Sequence, residues 1–325
     1  MRSITNIFIS LGERLQEFGH SETSRAVISS AIEANPWFTE RDILDAVEAI
    51  RCQMLDRERL EAWLSGYPTA ATAKRVAIIM AGNIPLVGFF DLLCVLCSGH
   101  KAHIKPSSKD RVLTQYIIDT LRSIEPTIPI YNYSPTERYD MVIATGGEEA
   151  NRYFESHFAE TKRLLRGSRH SVAVLDGMES SEELEGLFKD ITAYSGLGCR
   201  SVSMIFIPEG CDIALPKRDA ENPKLRRNIA SMRALMTIQG RTYGDYGAFL
   251  TIEGTAFATS LANVVVQRYN DIAEVRAWLA EHREEIQCVV SHLNIEDVVA
   301  FGEAQHPKLS DYADGVDTMK FLVQD

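Results

Sequence analysis

Residues 76–110 read VAIIMAGNIPLVGFFDLLCVLCSGHKAHIKPSSKD, and the order of apolar runs and breakers in this stretch decides the fold. Val76–Met80 is an unbroken apolar run, the pattern of a strand buried on both faces, and it ends at Gly82. A helix follows through Leu96, stopped by Gly99. His100–Ile104 is a second short strand, closed by Pro106. Strand, helix and strand packed into about 30 residues form a βαβ unit, which needs two parallel strands with the helix laid over one face.

The alternation continues outward. Val112–Ile124 is predicted helical, Ile128–Tyr133 extended, Asp140–Ala144 a strand ended by Gly146 and Gly147, and Ala150–His157 a helix. Before it, residues 1–66 read as helices: Ile7, Leu11, Leu15 and Phe18 recur at helical spacing, and Thr39 caps a helix over Ile43–Met54. After it, Val172–Leu175, Ser201–Ile207, Phe249–Ile252, Val264–Tyr269 and Ile286–Ser291 are predicted strands, with helices at Ser181–Ala193 and Ile272–His282. Pro216–Arg227 reads as a polar, basic surface segment, and the apolar tail Met319–Val323 as β-prone. The expected class is α/β: an open, mostly parallel nucleotide-binding sheet, a smaller α/β catalytic domain and a helical N-terminal region. The expected domains are residues 1–170, residues 171–295 and a C-terminal return segment, 296–325.

Composition excludes several function classes. With 325 residues and 45% hydrophobic content the chain can bury a sizeable core. A net charge of -11 repels phosphate backbones, so no nucleic-acid partner is expected. The apolar run from Ile84 to Cys97 is interrupted by Asp91 and too short for a membrane span. The first residues lack the apolar core and cleavage site of a secretory leader, so the six scattered cysteines are expected as reduced thiols in the cytoplasm. Eight dispersed histidines show no metal-ligand spacing, and Cys94-x-x-Cys97 lies in an apolar helix where it reads as core, so no metal is expected.

Four local features could carry chemistry. In Ser195-Gly196-Leu197-Gly198-Cys199-Arg200-Ser201 a cysteine sits between a helix end and a strand, with glycines that let a substrate approach and Arg200 to favour a thiolate. Asn83, in Ala81-Gly82-Asn83-Ile84-Pro85, lies at a strand's carboxyl end, where its amide could donate to a developing oxyanion. Lys105, followed by Pro106, Ser107 and Ser108, could bond ribose hydroxyls or a phosphate. Thr145-Gly146-Gly147 opens a helix whose N–H groups could face a phosphate, though it is not the G-x-G-x-x-G fingerprint. Taken singly, each also reads as an ordinary turn, cap or solvated side chain.

In their order and separation the four features resemble the aldehyde dehydrogenase superfamily. More narrowly, residues 82–110, LLRGSRHSVAVLDG at 164–177, YSGLGCRSVS at 194–203 and LSDYADGVDTMKFL at 309–322 resemble the acyl-CoA reductase branch typified by the bacterial luminescence reductase subunit. The resemblance runs from about residue 70 to 322 and implies an aldehyde dehydrogenase-like fold with the active site in a cleft between its domains. It implies that Cys199 is the nucleophile, and that Asn83 and the Cys199 backbone N–H form the oxyanion hole. Lys105 would contact the adenosine ribose, with Gly146 and Gly147 beside the pyrophosphate. Where NAD-preferring relatives carry an acidic residue, this chain has Ser107 and Ser108, with Lys109 near, which favours NADPH without excluding NADH. The stretch in which hydrolytic members carry a water-activating Glu is here Arg163-Leu164-Leu165-Arg166-Gly167, with no carboxylate.

The expected activity is therefore NADPH-dependent reduction of a fatty acyl thioester to the aldehyde through a Cys199 acyl-enzyme. The rival readings are a superfamily enzyme acting on a short or amino-acid-derived carbonyl, and a non-catalytic acyl-binding relative. Expected partners are acyl-CoA or an acyl-protein thioester, an acyl-protein synthetase, and a second copy of the chain, with the β-prone tail extending a neighbour's sheet. His157 and His170 read as surface or structural histidines.

Overall fold

The computed structural model of the chain describes residues 3–324. It comprises two compact units: one runs to Ser168 and resumes at Pro307, and the other is Arg169–His306. The first begins with four helices, α1 (Ile4–Leu15), α2 (Glu22–Ala34), α3 (Glu40–Ala49) and α4 (Arg57–Leu64). Each starts on a side chain that accepts a first-turn N–H: Ser3, Ser21, Thr39 and Asp56. The Thr39 cap is reciprocal, because Asp42 accepts the Thr39 N–H in return. After Ala49 the chain widens into a π-turn, Ile50–Met54, where the sequence pattern had continued the α-helix.

The sheet of this unit has the order β3-β2-β1-β4-β5, with every pair parallel. Its elements follow one another as β1 (Arg75–Ile79), α5 (Phe89–Cys97), β2 (Lys101–Lys105), α6 (Arg111–Ile124), β3 (Ile130–Asn132), β4 (Met141–Thr145), α7 (Glu148–His157) and β5 (Lys162–Arg166). Strand β1 is central and feeds opposite faces by alternation. Val76 and Ile78 pack among residues of α1, α5 and α6, such as Phe8, Leu92 and Ile117, while Ala77 and Ile79 pack with Phe154 and Phe158 of the α7 side. Because β2 and β4 flank β1, the chain reverses its direction of travel across the sheet there, the topological switch point at which open α/β sheets bind ligands.

The second unit holds β6 (His170–Val174), α8 (Ser181–Thr192), β7 (Val202–Pro208), α9 (Pro223–Ile238), β8 (Gly244–Asp245), β9 (Leu250–Glu253), β10 (Asn263–Tyr269), α10 (Ile272–Glu281), β11 (Ile286–Val290) and β12 (Val298–Val299). Its seven-stranded sheet has the order β12-β11-β6-β7-β10-β9-β8 and is parallel except for the β8–β9 pair. Val172, Val174, Met204, Phe206 and Val265 form its core with Trp278 of α10 packed against them.

The chain then returns to the first unit and ends in α11 (Thr318–Val323). This corrects the β-prone reading of Met319–Val323. Asp317 accepts the Lys320 N–H as an N-cap, and Met319 and Leu322, one turn apart, are buried in the core around α5. The strand expected to extend a neighbour's sheet is therefore not there. Polar links from several elements hold the returning segment. Arg166 ion-pairs with Asp91 at 2.8 Å and donates to Thr318 Oγ1 at 2.7 Å and the Ala313 carbonyl at 2.9 Å. Trp63 Nε1 donates to the Tyr312 hydroxyl at 2.9 Å, and the Tyr67 hydroxyl donates to Asp317 at 2.9 Å. His100 Nε2 lies 2.9 Å from the Leu322 carbonyl. The basic stretch 216–227 is mostly exposed or half-buried, and from Pro223 it forms α9, capped by Asn222. Among the described residues no helix is long and apolar enough to cross a membrane.

Candidate active site

In the first unit the predicted residues converge on one end of one sheet. Register pairs Ile79 with Lys105 on one side and with Ala144 on the other, so the carboxyl ends of β1, β2 and β4 lie level. Asn83, Lys105, Ser107, Ser108, Thr145, Gly146 and Gly147 all belong to these ends or to the segments that leave them. Asn83, Lys105, Ser108 and Gly147 are exposed, and Ser107, Thr145 and Gly146 are half-buried. Lys105 places its ammonium 5.9 Å from the centre of the Tyr133 ring.

The segment carrying Asn83 is packed tightly against the one carrying Ser107. A Cβ on Gly82 would lie 2.5 Å from Ser107 Oγ and 2.6 Å from Ser107 Cβ, so only glycine fits there. The Met80 N–H donates to the Lys105 carbonyl at 3.0 Å. Leu86, in the same turn, has a φ of +55°, and its N–H donates to Asp110 Oδ2 at 2.9 Å. Asp110 is 3% exposed, and burial pushes its carboxyl up to about 7 against the pull of the Leu86 N–H and the Thr114 hydroxyl.

Gly146 and Gly147 differ in what they exclude. A Cβ at Gly146 would meet Ala150 Cβ at 2.7 Å, so that glycine serves the packing of α7 on its own entry turn. A Cβ at Gly147 would meet nothing within 4 Å, so its backbone is open to a ligand at the start of α7. The first turn of α7 also carries Glu148 and Glu149, both exposed.

In the second unit Cys199 is half-buried and lies in the turn between α8 and β7, ahead of the amino end of β7. Tyr194, Ser195 and Gly196 have φ of +52°, +58° and +73°, three left-handed residues in a row, two of them carrying a Cβ. The turn is fastened on both sides. The fully buried Ser171 of β6 donates to the Cys199 carbonyl at 2.8 Å, and the Ser201 N–H donates to the Gly198 carbonyl at 3.0 Å. Beneath it Asp190, 1% exposed, accepts the Gly302 and Ala304 N–H groups at 2.6 and 3.1 Å, and burial pushes its carboxyl up to about 7.

The other candidates are structural. His170 stacks on Phe257 at 4.1 Å with Nδ1 3.1 Å from Ser203 Oγ, and burial lowers its pKa. His157 is exposed and stacks on Tyr153. Cys94 and Cys97 are buried in α5, and desolvation pushes both thiols up, Cys94 well above its ordinary value. Arg166 is the buried partner of Asp91.

Sequence reading missed Ser171, Asp110, Asp190 and the left-handed pair Tyr194–Ser195. Only Asp110 carried a local signal, as an acidic residue just before a helical run. It also missed that Asp176, Glu179 and His292 come together in space. Their groups are already committed: Glu179 accepts the Asp176 and Gly177 N–H groups, and His292 bridges Asp176 at 3.1 Å and Glu183 at 2.7 Å. The trio is accounted for as a loop clasp with a raised imidazole pKa, hydrogen-bonded first to Glu183.

Comparison with known proteins bears on both units. Residues 25–217, more than half of the chain, match the family described as acyl-CoA reductase (LuxC). The chain belongs to the LuxC acyl-CoA reductase family. All eight predicted site residues fall inside the LuxC match. A relative from Photorhabdus laumondii, a long-chain acyl-protein thioester reductase, is 22% identical over 180 residues, 49% of this chain. The match spans only 38% of that relative's length. Aldehyde dehydrogenase 21 from Physcomitrella patens superimposes with a TM-score of 0.63 at 11% identity, covering 90% of this chain and 73% of that one. The NAD+ complex of an aldehyde dehydrogenase from Bacillus cereus gives 0.59 at 14% identity, covering 91% and 73%. The chain thus has an aldehyde dehydrogenase-like fold, as its sequence motifs implied.

Proposed function

We propose that this chain reduces a fatty acyl thioester to the aldehyde through an acyl-enzyme on Cys199. The observation that carries the reading is the Cys199 turn: a half-buried cysteine, within the family match, on a backbone preset by three left-handed residues and held by Ser171. Such a turn keeps the thiol and its own N–H in one fixed relation, which an oxyanion-stabilising nucleophile requires.

In this mechanism the Cys199 thiolate attacks the thioester carbonyl, and the Asn83 amide and the Cys199 N–H donate to the oxyanion. The donor thiol leaves as that intermediate collapses. The same donors stabilise the oxyanion of the reductive half-reaction, whose collapse releases aldehyde and restores the Cys199 thiolate. A nicotinamide, when bound, would supply the hydride. No carboxylate occurs in Arg163–Gly167 to activate water, so reduction of the acyl-enzyme is favoured over release of free acid.

The carboxyl ends of β1, β2 and β4 fit a nicotinamide dinucleotide. They lie at the switch point, the open backbone at Gly147 begins a helix, and Lys105 and Ser108 are exposed beside it. Lys105, Ser107 and Ser108 would hold the adenosine ribose, and Thr145, Gly146 and Gly147 the pyrophosphate. Serines in place of a ribose-binding carboxylate, with Lys105 and Lys109 exposed near them, favour NADPH. The Photorhabdus relative's description supports an acyl-protein thioester as donor, and the family's description supports acyl-CoA.

The test is aldehyde formation by the purified chain from short- and long-chain acyl-CoA with NADPH or NADH. Long-chain thioester with NADPH is expected to be the best pair. Preference for short carbonyls supports the rival enzyme reading, and nucleotide binding without aldehyde from any thioester supports the non-catalytic one.

A further inference from the structure

We infer that Asp110 is a positioning residue for Asn83: its carboxyl caps no N–H of its own helix and instead holds the turn that carries the proposed oxyanion donor. The inference rests on the proposed role of Asn83. Asp110 occupies the N-cap position of α6, where an aspartate ordinarily accepts an N–H of the helix's first turn. It makes no such bond. Its Oδ2 instead accepts the Leu86 N–H at 2.9 Å, with the Thr114 hydroxyl on the same oxygen at 3.4 Å. The Leu86 end of this bond is unusual too, because a leucine at φ +55° sits in a conformation that its Cβ disfavours. A left-handed leucine persists only where its surroundings impose it, and a buried carboxylate on its N–H is such a constraint.

The bond closes a loop of contacts around Asn83. Gly82 is seated on the Ser107 side chain, with Asp110 Cβ 3.2 Å from where a Gly82 Cβ would lie. The Asp110 N–H donates to the Ser107 carbonyl at 3.2 Å, and the Lys109 N–H to Ser107 Oγ at 3.3 Å. Asn83 is thus anchored on its N-terminal side by a steric fit and on its C-terminal side by the Asp110–Leu86 bond. Asp110 Oδ1 is buried without a hydrogen-bond partner. A helix cap placed for α6 alone would be expected to satisfy its oxygens locally, so the geometry is that of a side chain recruited to the turn.

Asp110→Ser is the discriminating variant. Serine is as good an N-cap as aspartate, so α6 keeps its start, but serine is too short to reach Leu86. Three readings are taken on the full chain: kcat for acyl-CoA reduction, NADPH affinity, and hydrogen–deuterium exchange of a peptide covering residues 82–90. Asp110→Ser is expected to speed exchange in that peptide and to lower kcat about 100-fold, the loss typical of a misplaced oxyanion donor. NADPH affinity should change far less. Asp110→Asn, which keeps an acceptor for Leu86, should restore most of kcat. In an Asn83→Ala background Asp110→Ser should cost little more, because the donor it positions is already gone. Additive losses, or faster exchange with unchanged kcat, would overturn the positioning role, and unchanged exchange would overturn the clamp itself. Should Asn83→Ala alone leave kcat intact, the oxyanion assignment fails, while the exchange data still decide whether Asp110 holds the turn.

Discussion

The Asn83 segment and the Cys199 turn are both tight, both next to a central strand of a parallel sheet, and built in opposite ways. Asn83 follows the carboxyl end of β1, where the chain passes from strand to helix. Its shape comes from close packing, Gly82 against Ser107, and from one buried carboxylate. Cys199 precedes the amino end of β7, where the chain passes from helix to strand. Its shape comes from backbone strain at Tyr194 and Ser195, balanced by hydrogen bonds to carbonyls from Ser171 and the Ser201 N–H. Carboxyl-end sites fall under the general rule for open α/β sheets, whereas amino-end sites do not. The rule locates the proposed cofactor end of this chain and says nothing about the proposed nucleophile.

Substitutions at each end can break that contrast. The largest effect is expected from Asn83→Ala, which removes the proposed oxyanion donor. It should lower kcat about 100- to 1,000-fold while leaving NADPH binding, followed by nucleotide fluorescence, unchanged. Ser171→Ala removes the buried donor to the Cys199 carbonyl and should cost about 1–3 kcal/mol in urea unfolding, with slower acylation of Cys199. An equal loss of cofactor affinity would show that the two ends do not act separately.

The buried carboxyls sharpen the comparison through pH. Asp190 keeps its proton in the folded state up to about 7, while an unfolded aspartate loses it near 3.8. Between those values the folded state binds more protons, so stability falls as pH rises, by about 1.4 kcal/mol per pH unit for one such group. Asp190→Asn should therefore make the slope of stability against pH between 5 and 6 more positive by about that amount. The smallest effect is expected at Ser195. Glycine there relieves left-handed strain but adds freedom to the unfolded chain. Ser195→Gly should leave the unfolding free energy within about 1 kcal/mol of the parent, while Ser195→Val should lower it by more.

What was legible in the sequence follows the same division. Val76–Met80, Gly82, Gly99 and Pro106 declare the βαβ unit because buried parallel strands are continuous apolar runs and their stops are glycine or proline. Elements that depend on distant partners were not legible. Strand β5 hides its alternation because Arg166, a residue normally solvated, is buried against Asp91. The tail Met319–Val323 looks β-prone by composition but is one helical turn and a half, set by the Asp317 cap and by the α5 surface it covers. At Cys199 the glycines were visible, but the left-handed Tyr194 and Ser195 were not, since neither residue type announces such a conformation. Ser171 lies near Cys199 only because β6 and β7 are neighbours in the sheet.

The central claim is that Cys199 carries the acyl group. Incubation of the chain with radiolabelled long-chain acyl-CoA, without nucleotide, followed by denaturation and hydroxylamine treatment, measures this directly. Label should be retained through a hydroxylamine-labile thioester, be absent from Cys199→Ala, and persist in Cys94→Ala, whose thiol is buried in α5. Equal labelling of all three proteins would contradict the account.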